Sequence, residues 1–119
     1  MIFGLLCAAT SALCVALFAV FVIAPGAYTA LYGVAADAGG VFLGRRAAPL
    51  FLGLAIFFWA LRGVGPGPLQ DATAWAAAAT FIGIAATGVW AWLGGAASFA
   101  ILVAAAIEVA IGLAFLLAR

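Results

Sequence analysis

Charged side chains are nearly absent from this chain. Of its 119 residues, 71% are hydrophobic and only 6% are charged, whereas a soluble globular domain averages about 25% charged residues. So few charged groups cannot cover the surface of a water-soluble fold. The four arginines and three acids give a formal net charge of +1, which provides no basic stripe for a nucleic-acid backbone. We therefore expect an integral membrane protein that binds no nucleic acid.

Metal-ligating and redox-active residues are equally scarce. The chain has no histidine, and its two cysteines, Cys7 and Cys14, lie in one apolar run. In a helix their Cα atoms would be roughly 10 Å apart, beyond the roughly 7 Å limit for a disulfide. No Walker loop, GxSxG, CxxC or dinucleotide-binding fingerprint occurs, although such motifs mark many enzymes. The sequence predicts a non-catalytic protein with no metal site and no other cofactor.

Long apolar runs are what the chain does contain. Residues 2–24 carry no charge and would extend about 34 Å as a helix, enough to cross a hydrocarbon core of about 30 Å. The pattern predicts an all-α fold, an integral membrane bundle of four transmembrane helices forming a single domain over residues 1–119. We place the helices at residues 2–24, 38–61, 73–93 and 98–118.

Helix-breaking and polar residues separate these runs. Pro25 and Gly26 end the first run, the stretch up to Gly39 predicts an interfacial turn, and Asp37 can cap the second helix. Residues 62–72 form the clearest loop. Four spans place both ends of the chain, and this loop, on one side of the membrane. Lysine and asparagine are also absent, a bias typical of GC-rich genomes, so we expect a multi-pass protein of a bacterial inner membrane.

Glu108 is the acid predicted to lie at membrane depth, at the middle of the fourth helix. An ionised side chain there costs at least roughly 2.5 kcal/mol. Spacing by four residues aligns Glu108 with Ala100, Ala104 and Gly112, so it shares a face with small residues that allow close helix packing. Its functional interpretation is a proton-relay or solute-binding carboxyl. Its structural interpretation is an interhelical hydrogen-bonding clamp.

Hydroxyls and an arginine pair are the candidate partners of Glu108. Thr80 and Thr87 lie seven residues apart on the third helix and mark one seam. Arg45 and Arg46 could reach inward on long side chains. The alternative for the two arginines is an interfacial position where they hold lipid phosphates.

Small residues beyond the Glu108 face predict further packing surfaces, because they let helix backbones approach each other. We expect them to contact membrane lipid, other membrane subunits or further copies of the chain. The aromatic cluster Phe57, Phe58 and Trp59 has two interpretations, a docking site for a partner or plain lipid contact. The candidate lipid or partner contacts are Arg45, Arg46, Gly40, Gly44, Ala104, Gly112, Phe57, Phe58 and Trp59.

One stretch carries a family resemblance. It comprises Pro25, the segment 31–34, Asp37, the run 40–43 with Arg45 and Arg46, and Gly53 with Leu54. This pattern resembles small four-helix bacterial membrane proteins grouped as domains of unknown function, and it is loosely similar to DoxX-like proteins. The resemblance implies the four-helix fold and transfers no catalytic residue.

Two functions from different classes follow as hypotheses. The first is a non-catalytic accessory or assembly subunit beside a larger membrane complex, respiratory or photosynthetic, because the small-residue faces exceed what four helices would use among themselves. The second is a small oligomeric transporter or proton-coupled carrier that uses Glu108. A quinone-linked enzyme is the weakest reading, since no redox ligand is visible.

Overall fold

A computed structural model describes all residues, 1–119, and confirms the all-α class. No strand occurs, and four of the helices are long and apolar enough to cross a membrane. The chain is therefore a small multi-pass membrane protein. The helices are α1 (Ile2–Ile23), α2 (Pro25–Leu31), α3 (Ala38–Leu61), α4 (Pro68–Leu93) and α5 (Ala100–Ala118).

The ends of α3 follow the sequence prediction because the capping chemistry is local. The carboxylate of Asp37 accepts a hydrogen bond from the Gly40 backbone N–H at 2.7 Å, which satisfies one of the free donors at the helix start. At the other end the Arg62 guanidinium donates to the Trp59 carbonyl at 2.5 Å. A cation at a helix C-terminus also interacts favourably with the helix dipole.

Helix α2 replaces the interfacial turn that the sequence predicted. Ala24 breaks the chain away from α1 with φ −144° and ψ 64°, and Pro25 then occupies the first turn of α2, where its missing N–H costs nothing. Seven residues are too few to form a stable helix alone. Packing stabilises it, since the Tyr28 ring lies 4.6 Å from that of Phe21 on α1.

Helix α4 begins at Pro68, five residues before the predicted start at residue 73. The cluster of glycine and proline at residues 65–68 signalled a loop, but proline in the first turn is compatible with a helix. Gly67 supplies the turn with φ 151°, a conformation that other residues rarely adopt. Asp71 then lies in the first turn of α4 and forms an ion pair with Arg119 at 3.8 Å.

The contacts at the two ends of the bundle define its topology. The Asp71–Arg119 ion pair and the close approach of Gly4 to the Arg62 carbonyl bring both chain ends and the α3–α4 connection together. At the opposite end the Ser98 backbone N–H donates to the Tyr32 carbonyl at 2.7 Å. This arrangement agrees with the predicted even number of crossings.

Two helix pairs, α1 with α3 and α4 with α5, make up the bundle. In the first pair the Ser11 hydroxyl donates to the Ala55 carbonyl at 2.7 Å. In the second, Gly112 lies so close to α4 that an added Cβ would be 2.8 Å from the Ile82 side chain. Small residues therefore set the approach distance of α4 and α5, as is usual in membranes.

The core that joins the two pairs lies near the end of the bundle that holds both chain ends. The Phe115 ring packs edge-to-face on Phe3 at 5.8 Å and tilted on Phe58 at 5.5 Å, and such pairs contribute about 0.5–1.5 kcal/mol each. Only 20 of 119 residues are buried by the protein itself, because the outward faces of the helices meet lipid. The core cluster consists of Phe3, Cys7, Phe58, Ala74, Ala77 and Phe115.

Candidate intramembrane binding site

A partly open cavity of about 190 Å³ lies between the two helix pairs, next to the core cluster, and three of its lining residues, Leu13, Ile84 and Ile107, are exposed at the surface of the bundle. All five helices contribute to its wall, the four spanning helices each from near the middle of the span. Four of its lining residues, Tyr28, Tyr32, Thr80 and Glu108, carry oxygen atoms in a largely hydrophobic surface. The lining residues are Leu13, Cys14, Leu17, Tyr28, Tyr32, Phe51, Leu54, Thr80, Phe81, Ile84, Ala104, Ile107, Glu108 and Ile111.

Glu108 projects from α5 into this cavity and is half-buried. Its carboxyl forms no hydrogen bond and no ion pair with any other residue. A carboxyl that clamps two helices together would hold a donor or acceptor on the neighbouring helix. The structural interpretation of Glu108 as a hydrogen-bonding clamp therefore has no bond to support it.

The two tyrosines of the chain form one wall of the cavity. Their rings meet edge-to-face at 5.1 Å between centroids, and Phe51 is linked to them through Phe21, whose ring stacks on it at 5.2 Å. Burial, with smaller contributions from Tyr32 and from the charge of Glu108, holds the pKa of Tyr28 well above its ordinary value. The Tyr28 hydroxyl therefore stays protonated and can donate a hydrogen bond into the cavity.

Thr80 and Thr87, predicted to share one seam, occupy different environments. Thr80 lines the cavity and its hydroxyl donates to the Ala76 carbonyl of its own helix at 2.8 Å. Thr87 is exposed and donates to the Ile84 carbonyl at 2.7 Å. Neither hydroxyl reaches Glu108, but the oxygen of Thr80 keeps acceptor capacity on the cavity side.

Neither arginine of the predicted pair acts as a buried counter-ion of Glu108. Arg45 and Arg46 are both exposed. Arg45 donates to the Val22 carbonyl at 3.4 Å, one of the free carbonyls at the end of α1, and the Arg46 guanidinium lies 6.0 Å from the Phe42 ring. Their exposure fits the interfacial alternative, in which guanidinium groups hold lipid phosphates; lipid binding by them stays a prediction.

The small residues singled out in the sequence serve several local purposes. Gly40 donates to the Asp37 cap. Gly44 faces Pro25 and Phe21, and a Cβ there would lie 3.2 Å from the Pro25 side chain. Gly112 is buried against α4, whereas Ala104 lines the cavity beside Glu108. Gly44 and Gly112 thus contact other helices of the same chain.

The aromatic cluster at residues 57–59 divides between core and surface. Phe58 is only 3% exposed and belongs to the core cluster, so its predicted contact with lipid or a partner is corrected. Its sequence neighbours Phe57 and Trp59 face outward. The three side chains point in different directions because successive helix positions are rotated by about 100°. The Arg62 guanidinium lies 3.9 Å from the Trp59 ring centroid.

Sequence reasoning did not place Tyr28, Tyr32 or Cys14 beside Glu108. The two tyrosines are four residues apart, so they share one face of any helix that contains them. Their spacing was the sequence signal for a shared tyrosine surface. It could be recognised only if residues 25–31 were expected to be helical. Cys14 falls in the most apolar run, where nothing distinguishes a cavity-lining residue from a lipid-facing one.

Comparison of the chain with known protein families, with curated proteins and with solved structures gave no match. The class of protein is defined by its four membrane-length apolar helices, which make it a small multi-pass membrane protein. No family is identified for it.

Proposed function

We propose that the protein is a small carrier of the membrane, in which Glu108 binds and releases a proton or solute inside the cavity. The observation that carries this proposal is the unpartnered carboxyl of half-buried Glu108 in a largely apolar cavity between the helix pairs. Acids at membrane depth are costly and mark transport pathways and proton relays. A carboxyl that holds the fold together would have a partner within the protein, and Glu108 has none.

The surrounding structure supports an exchangeable site. Four spanning helices and α2 border the space, so a bound group would be partly shielded from lipid and could still enter and leave through the open side. No second acid lines the cavity, and Glu108 thus carries the exchange alone. A carrier of this size works as an oligomer, because four helices enclose little volume by themselves.

Proton flux into proteoliposomes tests the proposal. The wild type should carry protons down an imposed gradient, and Glu108→Gln should abolish this flux while preserving the shape of the side chain. The matched control is Asp71→Asn, which removes one acid from the exposed end of the bundle and should leave the flux unchanged. Background flux for the wild type would overturn the proton-carrier proposal.

An accessory subunit of a larger membrane complex is the second candidate. Its support is a shallow outer groove on the α1–α3 pair, which is bordered by small residues and by Trp59. Gly4, Gly44 and Gly112 are already used by contacts within the chain, so fewer small residues are left for a partner than the sequence indicated. As part of this proposal, the chain is related to the uncharacterised bacterial four-helix proteins that it resembles and lies in a bacterial inner membrane.

Filling the outer groove tests the subunit proposal. Ala12 is exposed and lines this groove, so Ala12→Leu should release a bound subunit while leaving the bundle intact. Gly44→Leu would instead disturb the contact with Pro25 inside the chain. Mild detergent extraction, native mass spectrometry and comparison of Ala12→Leu with wild type give the measurement. Migration as the bare chain for both proteins would rule out a stable partner.

A further inference from the structure

We infer that the solute bound by Glu108 is a small lipophilic organic cation, an amine or quaternary ammonium with an apolar body. This inference rests on the proposed function and names the class of solute that the same cavity takes. It follows from the distribution of positive charge in the chain, the donor groups of the cavity and the aromatic wall.

The protein contains no cation that could neutralise Glu108. It has neither lysine nor histidine, and its four arginines are committed elsewhere. Arg45 donates to a carbonyl at the end of α1, Arg62 to the Trp59 carbonyl, and Arg119 pairs with Asp71, while Arg46 is exposed beside Phe42. The negative charge of Glu108 can therefore be neutralised by protonation or by a bound cationic solute.

The donor groups of the cavity disfavour a bare inorganic cation. Hard metal ions such as Ca²⁺ and Mg²⁺ require about six or more oxygen ligands in close geometry. The cavity offers the Glu108 carboxylate, the hydroxyls of Tyr28 and Tyr32, and the Thr80 hydroxyl, which already donates to Ala76. Backbone carbonyls in the middle of continuous helices are used by the helical hydrogen bonds. Too few oxygens remain to replace a hydration shell.

The hydrophobic lining instead suits an organic cation. Aromatic rings attract a positive group through their π faces, and this attraction reaches about 2 kcal/mol or more where water is excluded. Tyr28, Tyr32, Phe51 and Phe81 all line the cavity around Glu108. Leucine and isoleucine side chains provide surface for the apolar body. The volume of about 190 Å³ corresponds to roughly six water molecules, so the solute is small.

Tyr28 and Tyr32 also lie between the cavity and a groove on the outer surface of the bundle. Both residues, with Leu17, line an outer groove between α1 and α2 as well as the inner cavity. A rotation of the tyrosine side chains would therefore connect the two spaces. A lipophilic solute that has partitioned into the membrane can reach Glu108 by this route.

A pair of probes of equal shape tests the solute class. Benzyltrimethylammonium carries the positive charge, and neopentylbenzene is its neutral carbon isostere. Each is titrated against the protein in lipid nanodiscs, and the rise of the melting temperature with concentration gives an apparent affinity. We expect roughly tenfold or tighter binding of the cation by the wild type. Glu108→Gln should remove that preference and keep the affinity for the neutral probe.

Two alanine variants on α5 serve as matched controls. Ala104 lines the cavity, so Ala104→Leu fills it and should remove the stabilisation by both probes. Ala110 lies on the exposed side of the same helix, and Ala110→Leu should retain the cation preference. The filled variant also measures any effect of the probes on the bilayer itself.

The outcomes separate the solute class from the proposed carrier function. Equal affinity of the wild type for both probes would overturn the cation inference while leaving a functional cavity. Stabilisation by neither probe beyond that seen with Ala104→Leu would also overturn it. The proton flux of the wild type and of Glu108→Gln is independent of both probes, so it decides separately whether Glu108 is the carrier site. The comparison of the two probes on the wild-type protein tests the inference even if Glu108→Gln fails to fold.

Discussion

The core cluster and the Glu108 cavity lie side by side in the same bundle, yet they are packed very differently. In the core cluster, three phenylalanines from α1, α3 and α5 meet, and Phe115 is completely buried. In the middle of the bundle no side chain fills the corresponding space, although aromatic residues also surround it. The closed region holds the helix pairs together. The open region is free to accommodate a bound group.

The contrast has a simple origin in side-chain size. At the core cluster, small residues of α4, Ala74 and Ala77, admit the large ring of Phe115 between the helices. At the cavity, Ala104 and Thr80 are small on both α5 and α4, and no large side chain fills the space between them. Close packing in a membrane depends on such complementarity, because lipid supplies little hydrophobic driving force between helices.

The largest expected effect comes from removing the central ring of the core cluster. Phe115→Ala should destabilise the protein by about 2 kcal/mol or more, since the lost van der Waals contacts leave a void. Phe81→Ala, on the cavity wall, should cost clearly less because part of that ring already faces empty space. Unfolding in mixed detergent measures both. Equal losses would show that the two regions are packed alike.

A second test concerns the contact between α4 and α5. In Gly112→Ala the new Cβ would lie 2.8 Å from the Ile82 side chain and 3.4 Å from the Ala78 Cα, so the helices must shift and we expect a loss of about 1 kcal/mol or more. Gly83→Ala is the matched control on α4, since nothing lies within 4 Å of its Cβ position. The control should gain up to about 1 kcal/mol in helix propensity. A stabilised Gly112→Ala would contradict the close approach.

Local chemistry decided how much of this fold the sequence could predict. The bounds of α3 were predictable because Asp37 and the polar residues after Leu61 act on their own helix ends. Helix α2 was not, because seven residues become helical only through contacts with α1 and α3. The early start of α4 was missed because proline and glycine signal loops and helix starts alike.

The candidate site was predictable only in part for a related reason. The alignment of Glu108 with small residues indicated that it faces protein, and it lines the cavity between the two helix pairs, where it is half-buried. Its neighbours could not be predicted, because Tyr28 and Tyr32 reach the cavity through α2, whose position depends on tertiary packing. The absence of a hydrogen bond to Glu108 is likewise a property of the whole bundle. No pattern of residue types encodes it.

A smaller effect is expected for the hydrogen bond within the α1–α3 pair. Ser11→Ala removes the donor to the Ala55 carbonyl and should cost about 0.6–1 kcal/mol, the usual range for interhelical hydrogen bonds in membranes. Ser98→Ala is a suitable control because its hydroxyl is exposed at the α4–α5 connection. The same detergent titration reports both variants. A loss as large as that of Phe115→Ala would mean that the polar bond, and not the core cluster, dominates stability.

The smallest effect concerns the ionisation of Tyr28 on the cavity wall. Burial favours the neutral phenol, so its pKa lies above the ordinary value of 10.0. In a Tyr32→Phe variant Tyr28 is the remaining tyrosine, and its near-ultraviolet absorption should show ionisation at higher pH in the folded protein than after denaturation. Because the raised pKa belongs to the folded state, the associated stability is present below about pH 10 and declines as the pH rises further.

Adding Glu108→Gln should lower the Tyr28 pKa less than unfolding does, since burial is the largest cause of the raised pKa and the charge of Glu108 is the smallest. Ionisation of folded Tyr28 at the ordinary value would instead show that water solvates this hydroxyl in the folded protein, which would contradict its burial on the cavity wall.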